Sequence, residues 1–330
     1  MMTETTTNRP DTPQDSGLVD MVTQDILYPL EVQAPKRRRR NPRAPYILLL
    51  PAVIMLLIAI GYPLVWQIYT SMMRYGLAQQ FGAPPEFVGL SNYLSIFTNP
   101  STWGVVARSL IFCAVNAILT MIIGTAVAVL MNVVNKGVKL TLQISLLLAW
   151  AMPVVAAVTV WIWLFDWRRG VINHTLTAMG FNFTSFNWLG TSLGLYFVAT
   201  LIVVWMSVPF VAFSIYAGLT QVSPEIMEAA SLDGASASRK FTTIIVPMIR
   251  PVLMIVGLLQ IIWDLRVFTQ IRMLQDAQMP LNSDLLGTYI YRLGVGSGDF
   301  AMASALSIFV LLITIVISIA YVMRLVKEDS

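Results

Sequence analysis

The chain has 330 residues, 57% hydrophobic and 12% charged, with a formal net charge of +4. A soluble domain carries about a quarter charged residues, so the composition describes a polytopic membrane protein. One cysteine, Cys113, excludes an internal disulfide, and with a single histidine, His174, no Cys/His metal cluster can be built.

Residues 1 to about 35 are rich in Thr, Asp, Gln and Pro and end in a basic run, Lys36 with arginines at 37–40, and Arg43. Such a segment buries too little apolar surface to order itself, and 1–45 is expected to be a disordered, cytoplasmic tail. The basic run reads as the positive flank of a first membrane helix rather than as a nucleic-acid site. A cleaved signal peptide is not expected, because the polar stretch ahead of the apolar run is too long and no small-x-small site follows.

A membrane-spanning helix needs about 20 apolar residues, and six such segments follow, at about 46–71, 106–132, 140–164, 194–219, 243–264 and 301–323. Only residues 135–139 separate the second from the third, which predicts a tight helical hairpin. Pro51, Pro63, Pro153, Pro209 and Pro251 lie within or at the ends of spans, where neighbouring helices can satisfy the freed backbone groups. With the N-terminus in the cytoplasm, fourteen of the 21 Lys and Arg residues fall on the cytoplasmic side, including every lysine. That asymmetry predicts cytoplasmic N- and C-termini. The expected fold is all-α: a six-helix membrane domain over 46–323, followed by a short cytoplasmic tail, 324–330.

Two connections carry motifs. After the first span the chain reads Phe87-Val88-Gly89-Leu90-Ser91-Asn92-Tyr93. Between the fourth and fifth spans, Ser223 and Pro224 form a helix start, with Glu225 and Glu228 placed to complement the positive end of the helix dipole, and Gly234 offers a left-handed stop. The helix so bounded has about ten residues, too short to cross a bilayer, and is expected to lie at a surface and dock into a partner.

Glu228-Ala229-Ala230, Asp233-Gly234-Ala235, Phe241, Ile244, Pro247 and Pro251 resemble the EAA loop of bacterial ABC importer permeases of type I, and residues 87–93 resemble a stretch after the first span in the maltose-type carbohydrate importers. The resemblance implies that Glu228, Ala229, Ala230, Asp233 and Gly234 belong to a coupling helix seated in a separate ATPase subunit. No lysine follows a glycine, so this chain has no Gly-Lys-Ser/Thr phosphate loop, and ATP and Mg would be bound by that partner. The other implied partners are a second, homologous permease in the bacterial cell membrane, an extracytoplasmic sugar-binding protein and membrane lipid. No nucleic acid, no metal and no catalytic residue are expected.

Polar residues inside spans face a cavity or another helix. Gln260 and Asp264 stand four apart on one helical face, and Trp205, Ser207 and Phe210 sit deep in the fourth span, with Trp150 just before Pro153 in the third. Aromatic faces with hydrogen-bonding groups suit a sugar. The resemblance places Trp150, Trp205, Ser207, Phe210, Gln260 and Asp264 on or near the transmembrane sugar contacts, for a maltose- or trehalose-like solute. Helix packing for the aromatic residues, an interhelical hydrogen bond for Gln260 and an arginine pair for Asp264 remain alternatives, as do a glycerol phosphate or amino acid importer and a secondary transporter.

Overall fold

The computed structural model describes residues 44–278, 280 and 282–328. All of the tail expected over 1–45, except Ala44 and Pro45, lies outside them. Within the described residues five helices are long and apolar enough to cross a membrane: Tyr46–Ser71, Pro100–Val133, Ser192–Leu219, Arg250–Gln278 and Phe300–Arg324. A broken pair, Lys136–Ala151 and Val154–Leu164, bent by 99°, brings the number to six when the pair is counted as one span.

Packing divides the chain at Gly61 into two units. In the first, helix α1, Ala44–Leu56, contains Pro51 and leads into a π-helical turn, Leu57–Gly61. Its apolar side chains from Tyr46 to Ile60 are exposed.

The second unit opens with α2, Tyr62–Ser71. Two-residue strands, β1 Met73–Arg74 and β2 Glu86–Phe87, pair antiparallel with Met73 opposite Phe87. Here the motif at residues 87–93 has a local structural task. Gly89 adopts φ +59, and the Asn92 amide donates to the carbonyls of Ser71 and Met73, both at 2.9 Å. The hydroxyls of Tyr93 and Ser71 meet at 2.7 Å, tying the loop to the end of α2.

Side-chain caps set the starts of the next helices. Asn99 accepts from the Ser101 amide to begin α3, Pro100–Val133, with Pro100 in the first turn where no N–H is needed. Asn135 caps α4, Lys136–Ala151, by accepting from Val138. Met152 takes an extended conformation, as the residue before a proline favours, and α5, Val154–Leu164, departs in a new direction. The span expected at 140–164 therefore contains a break after Met152. The predicted hairpin is tight in sequence, yet α4 lies chiefly along the following span rather than along α3.

That following span is α6, Ser192–Leu219, capped by Thr191. It is the axis of the bundle: 56% of its apolar window is buried, against 33% or less in the other four unbroken spans. It runs unbroken through Pro209. Against it pack α3, α4, α8 (Arg250–Leu265) and α9 (Thr269–Gln278). The approach of α3 is close because residue 124 is glycine; a Cβ there would lie 2.5 Å from Val211 Cγ1. One core layer joins Phe112, Val158, Leu195, Ile202, Ile271 and Leu274, and another joins Ala128, Val211, Ile215, Ile249 and Val256.

The last helix, α10, Phe300–Glu328, packs on α2 and α8. It continues through the start of the tail expected at 324–330. The fifth span also departs from expectation. Residues 241–248 form a π-helical turn and a short helix, and α8 begins at Arg250 rather than near 243.

Candidate functional site

The helix between the fourth and fifth spans, α7, is Pro224–Leu232. Ser223 Oγ accepts from the Glu225 amide at 3.3 Å and donates to the Glu225 carboxylate at 2.7 Å, so the cap is closed from both sides. At the other end the Ala235 amide donates to Ala230 O and the Gly234 amide to Ser231 O, at 3.0 and 3.1 Å. This double closure needs a left-handed residue, and Gly234 supplies it with φ +75. A second short helix, Ala237–Lys240, folds back so that Lys240 Nζ donates to Ser231 Oγ at 2.6 Å.

Of the five residues expected to couple to an ATPase, Glu228, Ala229, Asp233 and Gly234 are exposed and Ala230 turns inward. Leu232, not singled out from sequence, is 90% exposed. It stands directly beside the Asp233-Gly234 stop.

The six residues expected around a solute fall into three places. Trp205 is half-buried and stands edge-on to Trp161 of α5, with ring centroids 6.2 Å apart. It lines an apolar groove of about 640 Å³ between α3, α4, α5 and α6, where Ser145 and Thr200 are the hydroxyl-bearing residues. Phe210 sits between Trp150 and Trp263, at 6.4 and 4.8 Å. Trp150 is 53% and Trp263 43% exposed, which leaves an open aromatic face with half-buried Ser207 one turn from Phe210. Trp263 joins this face through tertiary packing that its position alone does not disclose.

Gln260 and Asp264 are in the third place, inside the bundle. The Gln260 amide donates to Asp264 Oδ1 at 2.9 Å, and both residues are buried. The alternative of an arginine pair for Asp264 is not what forms; Arg292 instead pairs with Asp284 at 2.8 Å.

Residues 120–324 match the family described as binding-protein-dependent transport system inner membrane component, which covers α6, α7 and α8 in full. The chain belongs to this family. It is a non-catalytic permease subunit of the ABC importers. The permease is 37% identical to the diacetylchitobiose uptake system permease of Streptomyces coelicolor, over 88% of this chain and 89% of that one. It is 29% identical to the trehalose/maltose transport system permease of Thermococcus litoralis, over 87% and 95%. Among solved structures, a bacterial ABC transporter that imports the acidic polysaccharide alginate superposes with a TM-score of 0.74 at 20% identity, over 95% of the permease and 99% of that chain, a likeness of fold. The permease thus stands within the carbohydrate-uptake branch of its family. Its described residues include no group of three His, Cys, Asp or Glu side chains placed to hold a metal.

Proposed function

We propose that the permease carries a di- or oligosaccharide of the maltose, trehalose or chitobiose kind across a bacterial membrane by alternating access. It would work as one half of a pair with a second, homologous permease. An extracytoplasmic binding protein delivers the sugar, and ATP with Mg acts on separate ATPase subunits. The observation that carries this reading is α7: a doubly capped helix that holds Glu228 and Leu232 in solvent at the end of a family-matched span. Both termini and α7 would face the cytoplasm, as the bias of positive charge supports.

Trp150, Phe210 and Ser207, joined by Trp263, are the proposed sugar contacts. They offer open ring faces beside a hydroxyl, and the open face would become one wall of a path when the second permease covers it. Trp205 lines the apolar groove and would take a lesser part. Contact with Gln260 or Asp264 would require α3 and α8 to part. Relatives named as sn-glycerol-3-phosphate permeases, 30% identical in Yersinia pestis, keep a phosphorylated solute as the second reading. A phosphate calls for cations, and Trp150, Ser207, Phe210 and Trp263 provide none.

The test is uptake of labelled maltose, trehalose and diacetylchitobiose into proteoliposomes that hold the assembled importer, with glycerol phosphate as competitor. ATP-dependent uptake of a sugar, undisturbed by glycerol phosphate, is expected. Uptake of glycerol phosphate alone would overturn the sugar.

A further inference from the structure

Helices α3 and α6 hold a groove between them that is apolar along its length and charged at one end. Its volume is about 600 Å³. Ile111, Val115 and Leu119 line it on α3 and Leu193, Phe197 and Leu201 on α6, so each helix turns one stripe toward it at three- to four-residue spacing. Ile111 is 64%, Leu193 83% and Phe197 48% exposed, which leaves the groove open along its side. The adjoining groove at Trp205 shares Leu119, Thr200 and Leu201 with it and has no charged residue in its lining. Charge stands only at the other end, beside Ser192, where α6 begins and opposite to the end that leads into α7. There the lining includes Arg108.

Arg108 is placed as a charge at the boundary of a membrane. Side chains on a helix lean toward its N-terminus, and the guanidinium follows that lean back by one turn: a Cβ at Gly104 would lie 3.3 Å from Arg108 Nη1. The level it reaches is that of Trp103, which is 46% exposed and donates from Nε1 to Phe97 O at 2.9 Å. Tryptophans collect at the interface of bilayer and water, and a long cationic side chain near a helix end extends to the same level. Asp284 does not neutralise this charge. Arg108 Nε donates to its backbone carbonyl at 3.5 Å, while the carboxylate is held by Arg292 at 2.8 Å and by Gln275 at 3.2 Å. Nε is one of five N–H donors, and the fork of a guanidinium suits a phosphate.

The occupant that fits is apolar over the depth of one leaflet and anionic at one end. From residue 108 to residue 119 a helix rises about 17 Å, against about 15 Å for half of a hydrocarbon core of about 30 Å. An apolar helix of another subunit would fill the groove without answering the charge, and a free anion would answer the charge and leave the groove empty. A zwitterionic lipid brings a cation of its own to Arg108. We propose that the groove holds one phospholipid with a net-anionic headgroup, its phosphate on Arg108 and an acyl chain along Ile111, Val115, Phe197 and Leu201, in the leaflet opposite to α7. This site stands independently of which solute the permease carries.

The experiment places the importer, assembled with its partner subunits, in nanodiscs of phosphatidylcholine. A small fraction of the lipid carries a photoactivatable group in its acyl chain and is either phosphatidylglycerol or phosphatidylcholine, and labelled peptides are mapped by mass spectrometry. Labelling over residues 111–119 and 193–201 should be about fivefold higher with phosphatidylglycerol, the ratio that one arginine near a membrane surface supports. The exposed side of α10 at Ile315, Val316 and Ile319 should show no such preference. Arg108→Gln should bring the ratio in the groove to one, and Arg108→Lys, which keeps the charge, should retain most of it. Equal labelling by the two lipids in the unaltered protein would overturn the proposal, as would a preference that survives Arg108→Gln. Labelling of α10 with none in the groove would show that a protein segment covers it, and would overturn the proposal as well. The comparison of the two lipids in the unaltered protein decides even if Arg108→Gln fails to assemble.

Discussion

Helix α7 and the α3/α8 interface are opposites in how they are written into the chain. Every device of α7 lies within thirteen consecutive residues, from the Ser223 cap to the Ala235 amide that closes on Ala230. The α3/α8 interface instead joins Cys113 Sγ to Ile261 O at 3.5 Å, across more than a hundred residues of sequence, and both helices pack against α6. Local signals specify a docking element by themselves, whereas a buried contact depends on pairing that no single stretch encodes.

The contrast breaks most severely at α7. Glu228→Lys should reduce ATP-driven uptake to background while membrane insertion stays normal; full uptake would remove α7 from coupling. In the bundle, Gly124→Val drives a side chain into Val211, and overpacking of this kind costs about 1 to 3 kcal/mol. It should lower the melting temperature of the solubilised complex, and an unchanged midpoint would mean that the α3–α6 approach is looser than the structure has it. Phe210→Ala should raise the apparent KM for the sugar with little change in assembly, by up to about tenfold if one stacking contact of about 1.4 kcal/mol is lost. An unchanged KM would return Phe210 to helix packing. Smallest is Ser223→Ala, which removes a cap worth about 1 kcal/mol. It should speed hydrogen exchange over residues 225–232 without affecting the bundle; an unaltered exchange rate would show that Pro224 alone sets the start.

The positions of the spans were legible because a run of about 20 apolar residues has one interpretation in a bilayer. Tyr46–Ser71 and Ser192–Leu219 lie within two residues of expectation. The 99° bend after Met152 was foreshadowed by Pro153, but Pro209 sits in α6 without a break, so proline alone does not tell a bend from a tolerated interruption. What separates the two is packing: α6 is held on several sides, while α4 and α5 are held by different neighbours. The late start of α8 was hidden because residues 241–248 are as apolar as a span yet wind as a π-helical turn. Of the residues proposed to face the solute, Trp150, Ser207 and Phe210 were singled out from the sequence, while Trp263 joins them only through its packing on Phe210. Asp264 accepts from Gln260, which the four-residue spacing had placed on the same face, rather than pairing with an arginine. Side-chain neighbours across helices depend on rotation about each helix axis, which a hydrophobic run leaves undetermined.

The most direct test of α7 as the coupling element uses its most exposed apolar side chain. Leu232→Cys in a chain that also carries Cys113→Ala gives a single thiol at the tip of the helix, ready for a short bifunctional crosslinker in the assembled importer. The expected result is a crosslink to the ATPase subunit, which Phe81→Cys in the loop after the first span does not give. No crosslink from Leu232→Cys in a complex that still hydrolyses ATP and transports, or equal crosslinking from both positions, would contradict docking of α7 in the ATPase.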